Sequence, residues 1–303
     1  MRYNKLIIIG ILGMAMIFGM PLLASAQTLE RIQASGTFNI GFVTDQAPIS
    51  FKAEDGKARG YALELGQKVA EAVKAKVGLP DLRTKYIATS LKDGLDMVAE
   101  GRIDLLCGAT SDTLKRRERV SFSLPIFVTG TAAILRKDAP PDLVRVLQGK
   151  KAYTGPIWRG SINRALANHT YAVHAGTVTE EWVRERIATL GVIAKVITVE
   201  DHAKGVEMVA KKKADAYFAD RVILGNYATR SKYADELMVL DRYFTYEPLA
   251  LAMARNNDDF RLVVDATLSS IFSTGEIAEI YRRYFGEEPS EMALTLFKFV
   301  ARN

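Results

Sequence analysis

Strand-like and helix-like segments alternate along this chain in two successive sets, and that alternation limits the fold more than any other feature. In the first set, Thr37–Val43 is rich in β-formers and runs into a polar loop through Pro48. Tyr61–Val77 carries Leu63, Val69, Ala70 and Val73 at helical spacing. Leu82–Ala88 then reads as a strand, Leu91–Glu100 as a helix and Ile103–Cys107 as a strand. The second set follows Pro140-Pro141. Tyr171–His174, Val192–Val199 and Ala214–Ala219 read as strands, each followed by a helix: Thr177–Leu190, His202–Lys211 and Arg221–Arg230. Parallel strands joined by crossover helices build α/β layers, so two α/β lobes of similar architecture are expected.

The apolar segments Thr131–Arg136 and Leu249–Ala254 flank the second set, and nothing between the sets resembles a flexible linker. Both are expected to cross between lobes, which makes the second lobe an insertion into the first. The expected boundaries are 27–133 with 251–303 for lobe one and 134–250 for lobe two. The helical segments Asp258–Ser273 and Glu276–Phe285 return to lobe one. Residues 150–170, with Gly155-Pro156 and Trp158-Arg159-Gly160-Ser161 and no clear period, read as a surface insertion on lobe two. A cleft between lobes joined by two hinge crossings is a natural ligand site.

Arg2 and Lys5 precede an apolar run from Leu6 to Leu23, and Ala24-Ser25-Ala26 is a small-x-small site. This is the pattern of an export signal, residues 1–26, cleaved to leave Gln27 first. An uncleaved membrane helix is the alternative, but Gly10, Gly13, Gly19, Pro21 and the cleavage site argue against it. No later apolar segment is long enough to span a bilayer, so a soluble periplasmic protein is expected. The remaining 277 residues suffice for two domains with their own cores. The formal charge of +6 falls to +4 without Arg2 and Lys5. The one basic triplet, Lys211-Lys212-Lys213, sits between a helix and a strand. No clustered basic patch with interleaved aromatics supports a nucleic-acid role. Cys107 is the single cysteine, which excludes an intrachain disulfide and fits a buried, inert thiol.

The stretch Gly101–Ser123 carries the most chemistry. An apolar strand enters a short polar turn, Gly108–Asp112, which opens a helix with Arg116 in its first turns. Open N–H groups, hydroxyls and a guanidinium suit a carboxylate. A second helix start, Gly176-Thr177-Val178-Thr179-Glu180, fits a capping box with Thr177 as N-cap. It follows a strand end, where open α/β sheets bind ligands. Asp220 ends the strand Ala214–Ala219 and reads either as an ammonium acceptor or as the N-cap of the next helix. His202 begins a helix after Glu200-Asp201. It reads as a donor to a ligand side chain or as a plain helix-start residue. His169 and His174 are five apart and match no usual metal spacing, so no metal and no cofactor are expected. Nucleophile-elbow, phosphate-loop, H-E-x-x-H and C-x-x-C patterns are absent from the sequence, and no catalytic residues are assigned.

Together these signposts resemble the periplasmic solute-binding proteins of polar amino-acid ABC transporters. The residues that carry the likeness are Leu29-Glu30-Arg31-Ile32 through Gly41, Gly60-Tyr61, Gly101-Arg102-Ile103-Asp104, Gly176-Thr177, Ala214-Asp215-Ala216 to Asp220, and Gly275 to Tyr284-Phe285. The resemblance implies a two-lobed periplasmic-binding-protein type II fold: two mixed-sheet lobes joined by two hinge crossings. It implies that Arg116 clamps a ligand α-carboxylate with help from Ser111, the Ala109 backbone and Thr177, and that Asp220 takes the α-ammonium. Cys107-Gly108-Ala109-Thr110-Ser111 and Glu200-Asp201-His202 resemble the glutamate/aspartate-binding branch, in which the histidine contacts the side-chain carboxylate. Against that branch, Val43 stands where an arginine is expected, Asp93 and Gly94 occupy the neighbourhood of a second, and Gln46 stands at an aromatic-lid position. An acidic ligand and a neutral polar one such as glutamine therefore both stay open. The implied partners are an amino-acid ligand and the permease subunits of an ABC transporter, with a monomeric binding protein. The alternatives are an exported enzyme on the same fold, such as a cyclohexadienyl dehydratase-like enzyme, and a sensor subunit.

Overall fold

The structure is a computed structural model that describes residues 27–151 and 163–302. The expected export signal and the middle of the expected insertion, 152–162, lie outside the described residues. The first part of the chain forms α1 (Thr28–Ser35), β1 (Thr37–Val43), the short strands β2 (Asp45–Gln46), β3 (Ser50–Lys52) and β4 (Ala58–Arg59), α2 (Tyr61–Val77), β5 (Arg83–Thr89), α3 (Leu91–Ala99), β6 (Leu105–Cys107), α4 (Leu114–Arg117) and β7 (Val120–Thr129). The middle part forms β8 (Thr131–Arg136), α5 (Pro141–Leu147), β9 (Thr170–His174), α6 (Val178–Leu190), β10 (Lys195–Val199), α7 (His202–Ala210), β11 (Ala216–Asp220), α8 (Arg221–Arg230) and β12 (Leu237–Val239). Then come β13 (Glu247–Ala254), α9 (Asp258–Thr274), α10 (Glu276–Phe285) and α11 (Glu291–Val300).

Two five-stranded sheets result, in the orders β5-β1-β6-β13-β7 and β10-β9-β11-β8-β12, with a small sheet β2-β3-β4 beside the first. In each large sheet three neighbouring strands pair in parallel, the fourth runs against them, and the fifth pairs antiparallel with the fourth and so points the same way as the first three. The parallel strands come from crossover units. The strands that run against the rest are β8, which follows the outward crossing, and β13, which follows the return; β7 and β12, which precede those crossings, lie at the sheet edges. The fold is thus α/β with two mixed sheets.

The lobe boundaries move from those expected. β7 belongs to the first sheet and β8, after Gly130 alone, to the second. Thr131–Arg136 is therefore a full strand of lobe two, and Leu249–Ala254 lies inside β13 of lobe one. The chain changes sheet at Gly130 and again between Val239 and Glu247. An apolar segment is easily read as a crossing, but it is apolar because both of its faces are covered by a sheet and its helices.

Two other elements differ from the sequence reading. The helix that carries Arg116 is a single turn, because Thr113 Oγ1 caps it by accepting from the Arg116 N–H at 3.2 Å and β7 starts at Val120. So short a helix has little macrodipole, and its contribution is to place the arginine. β7 was not expected because Pro125 interrupts it. It lies at the edge of its sheet, where a residue without an N–H is tolerated.

The first core gathers Phe38, Ile40, Tyr61, Leu65, Phe260 and Phe272 between α2, α9 and the sheet. α11 packs on it, with Phe297 at 5.1 Å between ring centroids from Phe272. Lobe two buries a cluster on each face of its sheet. Cys107 is fully buried and burial pushes its thiol up, as expected of an inert cysteine. No helix among the described residues is long and apolar enough to cross a membrane.

Asp104 explains the Gly-Arg-Ile-Asp run. Its buried carboxylate pairs with Arg31 on α1 and accepts the Asn39 N–H of β1 at 2.7 Å. Asp104→Ala strands both partners and is expected to destabilise lobe one by about 3 kcal/mol. Denaturant unfolding of the purified variant checks this.

Candidate functional site

One small cavity lies where the loops after β1 and β6 of lobe one face the ends of β9 and β11 of lobe two. Its lining includes Gln46, Ala109, Ser111, Arg116, Thr177, His202 and Asp220, the predicted site residues apart from Val43. Val43 packs in the core beside Leu91 and Leu106 instead. Its side chain closes on Gly108, where an added Cβ would meet Val43 Cγ2 at 2.9 Å. Gly94 shows why no arginine fits at that neighbouring position: an added Cβ there would lie 2.8 Å from a Leu106 methyl.

Local chemistry fixes each group. Gly176 opens lobe two's helix start at φ +72°, a backbone region that favours glycine. Thr177 Oγ1 accepts the Glu180 N–H at 3.2 Å and donates to the His174 carbonyl at 2.8 Å. Glu180 returns its carboxylate to the Gly176 N–H at 2.9 Å, one residue short of a strict capping box. Arg116 is half-buried and its Nη1 donates to the Ser111 carbonyl at 3.0 Å. Ser111 is tied to β13 by an isolated bridge to Leu249. Ala109 departs from expectation: its N–H donates to Gln46 Oε1 at 2.8 Å. Gln46 therefore occupies a donor that a ligand carboxylate was expected to take.

Three residues of the site escaped the sequence reading. Glu247, at the start of β13, accepts from Ser111 Oγ at 2.5 Å and from Thr245 Oγ1 at 2.9 Å. His174 ends β9, and its Nε2 lies 3.4 Å from Asp45 Oδ2 on β2 of lobe one. Asp45 Oδ2 also accepts the His202 backbone N–H at 3.1 Å. His202 Nδ1 pairs with the Tyr217 hydroxyl at 2.7 Å. The strand-end position of His174 was a usable signal. For Asp45 and Glu247 the sequence held none, since their partners lie on the other lobe or far along the chain.

Electrostatics centre on one cation and two acids. Burial, with Glu247 beside it, pushes the Asp220 carboxyl up to about 8, against the pull of Arg116. Burial lowers the Arg116 guanidinium from its ordinary value, opposed by Glu247 and Asp220. Burial and the nearby His174 push the His202 imidazole down to about 3, so it is neutral. Burial also pulls on His174, but Asp45 and the Ala175 carbonyl outweigh it and hold that imidazole above its usual value.

The enclosed space is about 20 Å³, room for about one water. The side chains meet across it, so in this arrangement it admits nothing larger. Lys115 of lobe one and Glu181 of lobe two, 2.8 Å apart, form an exposed contact across the cleft mouth. A much larger cavity of about 780 Å³ runs along β7, α8, α10 and α11. It is an open groove lined largely by aromatic and aliphatic side chains and lacks the convergent polar groups of the smaller site.

Residues 38–287 match the bacterial extracellular solute-binding proteins, family 3. The L-glutamate/L-aspartate-binding protein of Pseudomonas aeruginosa is 27% identical over 270 residues, which cover 89% of this chain and 83% of that protein. The glutamate/aspartate import solute-binding protein of Escherichia coli K12 is 22% identical, over 86% of this chain and 80% of that one. These relatives are solute-binding proteins, not enzymes. Among solved structures, an ABC uptake transporter substrate-binding protein from Streptococcus pneumoniae with bound histidine superposes with a TM-score of 0.70 at 18% identity, over 88% of this chain and 99% of that one.

Proposed function

The chain belongs to the bacterial extracellular solute-binding proteins, family 3, and from that premise we propose which part of an amino acid each group holds. As the amino-acid-binding component of an ABC transporter it captures an L-α-amino acid between its lobes and hands it to membrane permease subunits. Arg116, with Thr177 and Ser111, grips the α-carboxylate, and Asp220 takes the α-ammonium. The observation that carries this reading is the meeting of Arg116, Thr177 and Asp220, from both lobes, around one cavity. Each lobe supplies part of the grip, so the ligand binds the closed arrangement better and shifts the protein toward it. An export signal at residues 1–26 and a periplasmic location complete the reading.

Charge selects among ligands. Arg116 is the only arginine or lysine lining the cavity among the described residues, and two acids, Asp220 and Glu247, already face it. His174 is paired with Asp45. A second carboxylate on the ligand meets no free cation, and an uncompensated buried charge is costly. We therefore favour a neutral polar side chain such as that of glutamine, directed toward Gln46, His174 and His202. The glutamate/aspartate-binding relatives support the acidic reading as the second. Melting against an amino-acid panel decides. A ligand at ~100-fold its dissociation constant adds about 2.7 kcal/mol, on the order of 5–10 °C for a chain of this size. Glutamine giving the largest rise supports the first reading. Glutamate or aspartate giving it supports the second, and a flat panel sinks both.

Asp220 makes the affinity depend on pH. Without ligand it holds its proton up to about pH 8. A ligand ammonium favours the carboxylate, so binding expels that proton. Affinity is expected to strengthen as pH rises toward 8, by up to about tenfold per unit, and to level off above it. Titration calorimetry in two buffers of different ionisation enthalpy reads the released proton directly. Asp220→Asn removes both the proton release and the slope.

A further inference from the structure

The groups at the inner end of the cleft do more than line it. Asp45 on β2 of lobe one and His174 and His202 on lobe two each offer one donor atom, and these atoms lie within 4.8 Å of one another. The Nδ1 of each ring is already engaged. That of His202 meets the Tyr217 hydroxyl at 2.7 Å and that of His174 meets the Ala175 carbonyl at 3.1 Å. Both Nε2 atoms are therefore left for the shared space. Outer hydrogen bonds of this kind fix the tautomer and aim of metal-binding histidines. His174 Nε2 and Asp45 Oδ2 stand 3.4 Å apart, which is about the separation of two donors in a tetrahedral site with bonds near 2.0–2.1 Å. Two imidazoles and one carboxylate suit zinc, nickel or copper, and an all-oxygen cation poorly.

We propose that Asp45, His174 and His202 form a site for one divalent transition-metal ion, with Zn²⁺ as its representative, that ties lobe one to lobe two. The buried His202 is positioned by Tyr217, and Asp45 is anchored by the His202 backbone N–H. The site is three-coordinate from the protein, and its fourth position faces the cleft. It does not depend on which amino acid the protein binds. The same geometry also suits a proton shared by Asp45 and His174, and the experiment separates the two occupants.

The mature chain, stripped with a chelator and titrated with Zn²⁺ alone at neutral pH, is expected to bind one equivalent and to melt at a higher temperature. His174→Gln and Asp45→Asn are each expected to weaken Zn²⁺ at least ~100-fold, and the outer variant Tyr217→Phe by ~10-fold. A Co²⁺-loaded sample is expected to show the intense visible bands of a tetrahedral site, lost in His174→Gln. Arg116→Ala is expected to keep Zn²⁺ binding while losing the amino acid, so failure of the metal site and failure of the clamp are distinct results. No binding above that of His174→Gln overturns the proposal and leaves the shared proton as the occupant. Binding that survives His174→Gln and disappears in His169→Ala also overturns it, by placing the ion on the surface pair His169 and Asp215, 3.3 Å apart.

Discussion

Arg116→Ala is expected to abolish the rise in melting temperature that an amino acid produces and to weaken binding at least ~100-fold. The guanidinium is the only arginine or lysine at the cavity among the described residues, and it is held toward the site through Nη1 on the Ser111 carbonyl. A carboxylate brought there without it stays buried and unpaired. Breaking a buried pair in this way costs about 3–5 kcal/mol, which is the stated loss or more. Arg116→Lys keeps the charge but not the two-pronged grip and is expected to lose about tenfold. Calorimetry with the best ligand of the panel measures both. A ligand-induced shift that persists in Arg116→Ala would mean that the carboxylate sits elsewhere.

Gly130→Ala is expected to cost about 3 kcal/mol or more, a fall of about 6–12 °C in melting temperature. Gly130 is the single residue between the two sheets on the outward crossing, and the return crossing lies against it. An added Cβ would stand 1.8 Å from the Thr245 carbonyl oxygen and 2.7 Å from its carbon. These are backbone atoms and cannot rotate aside. Thr245 also accepts the Thr131 N–H at 2.9 Å and donates to Glu247 at 2.9 Å. Pushing the crossings apart therefore disturbs the acid beside Ser111, and ligand affinity falls as well. Gly225→Ala is the internal control. No atom lies within 4 Å of its would-be Cβ, and a helical glycine replaced by alanine gains up to about 1 kcal/mol. Equal melting of Gly130→Ala and the parent protein would refute the close crossing.

The sequence made some elements legible to the residue and hid others for physical reasons. Thr37–Val43, Tyr61–Val77, Arg221–Arg230 and Glu276–Phe285 coincide with β1, α2, α8 and α10. Each ends at a glycine or a polar break. The strands β2, β3 and β4 hold two or three residues apiece, too few for any period to show. The turn that carries Arg116 to the cavity was legible because it is built locally, from a strand end, a turn and one arginine. The meeting of Asp45 with His174 and His202 was not, because the chain carries Asp45 on one lobe and the histidines on the other, and only the packed lobes bring them together. Gln46 was read as a lid position, but its amide turns inward onto the Ala109 N–H.

β13 sits between β6 and β7 in the first sheet, although it is made long after both. A ribosome therefore releases the whole middle lobe while β6 still lacks its neighbour. The first sheet zips shut only after the return strand appears, by a pairing of high sequence separation, which is slow. Until then the growing polypeptide shows an open strand edge. An open edge of that kind pairs readily with other chains, so the interval before the return strand arrives is when this polypeptide is most exposed to misassembly.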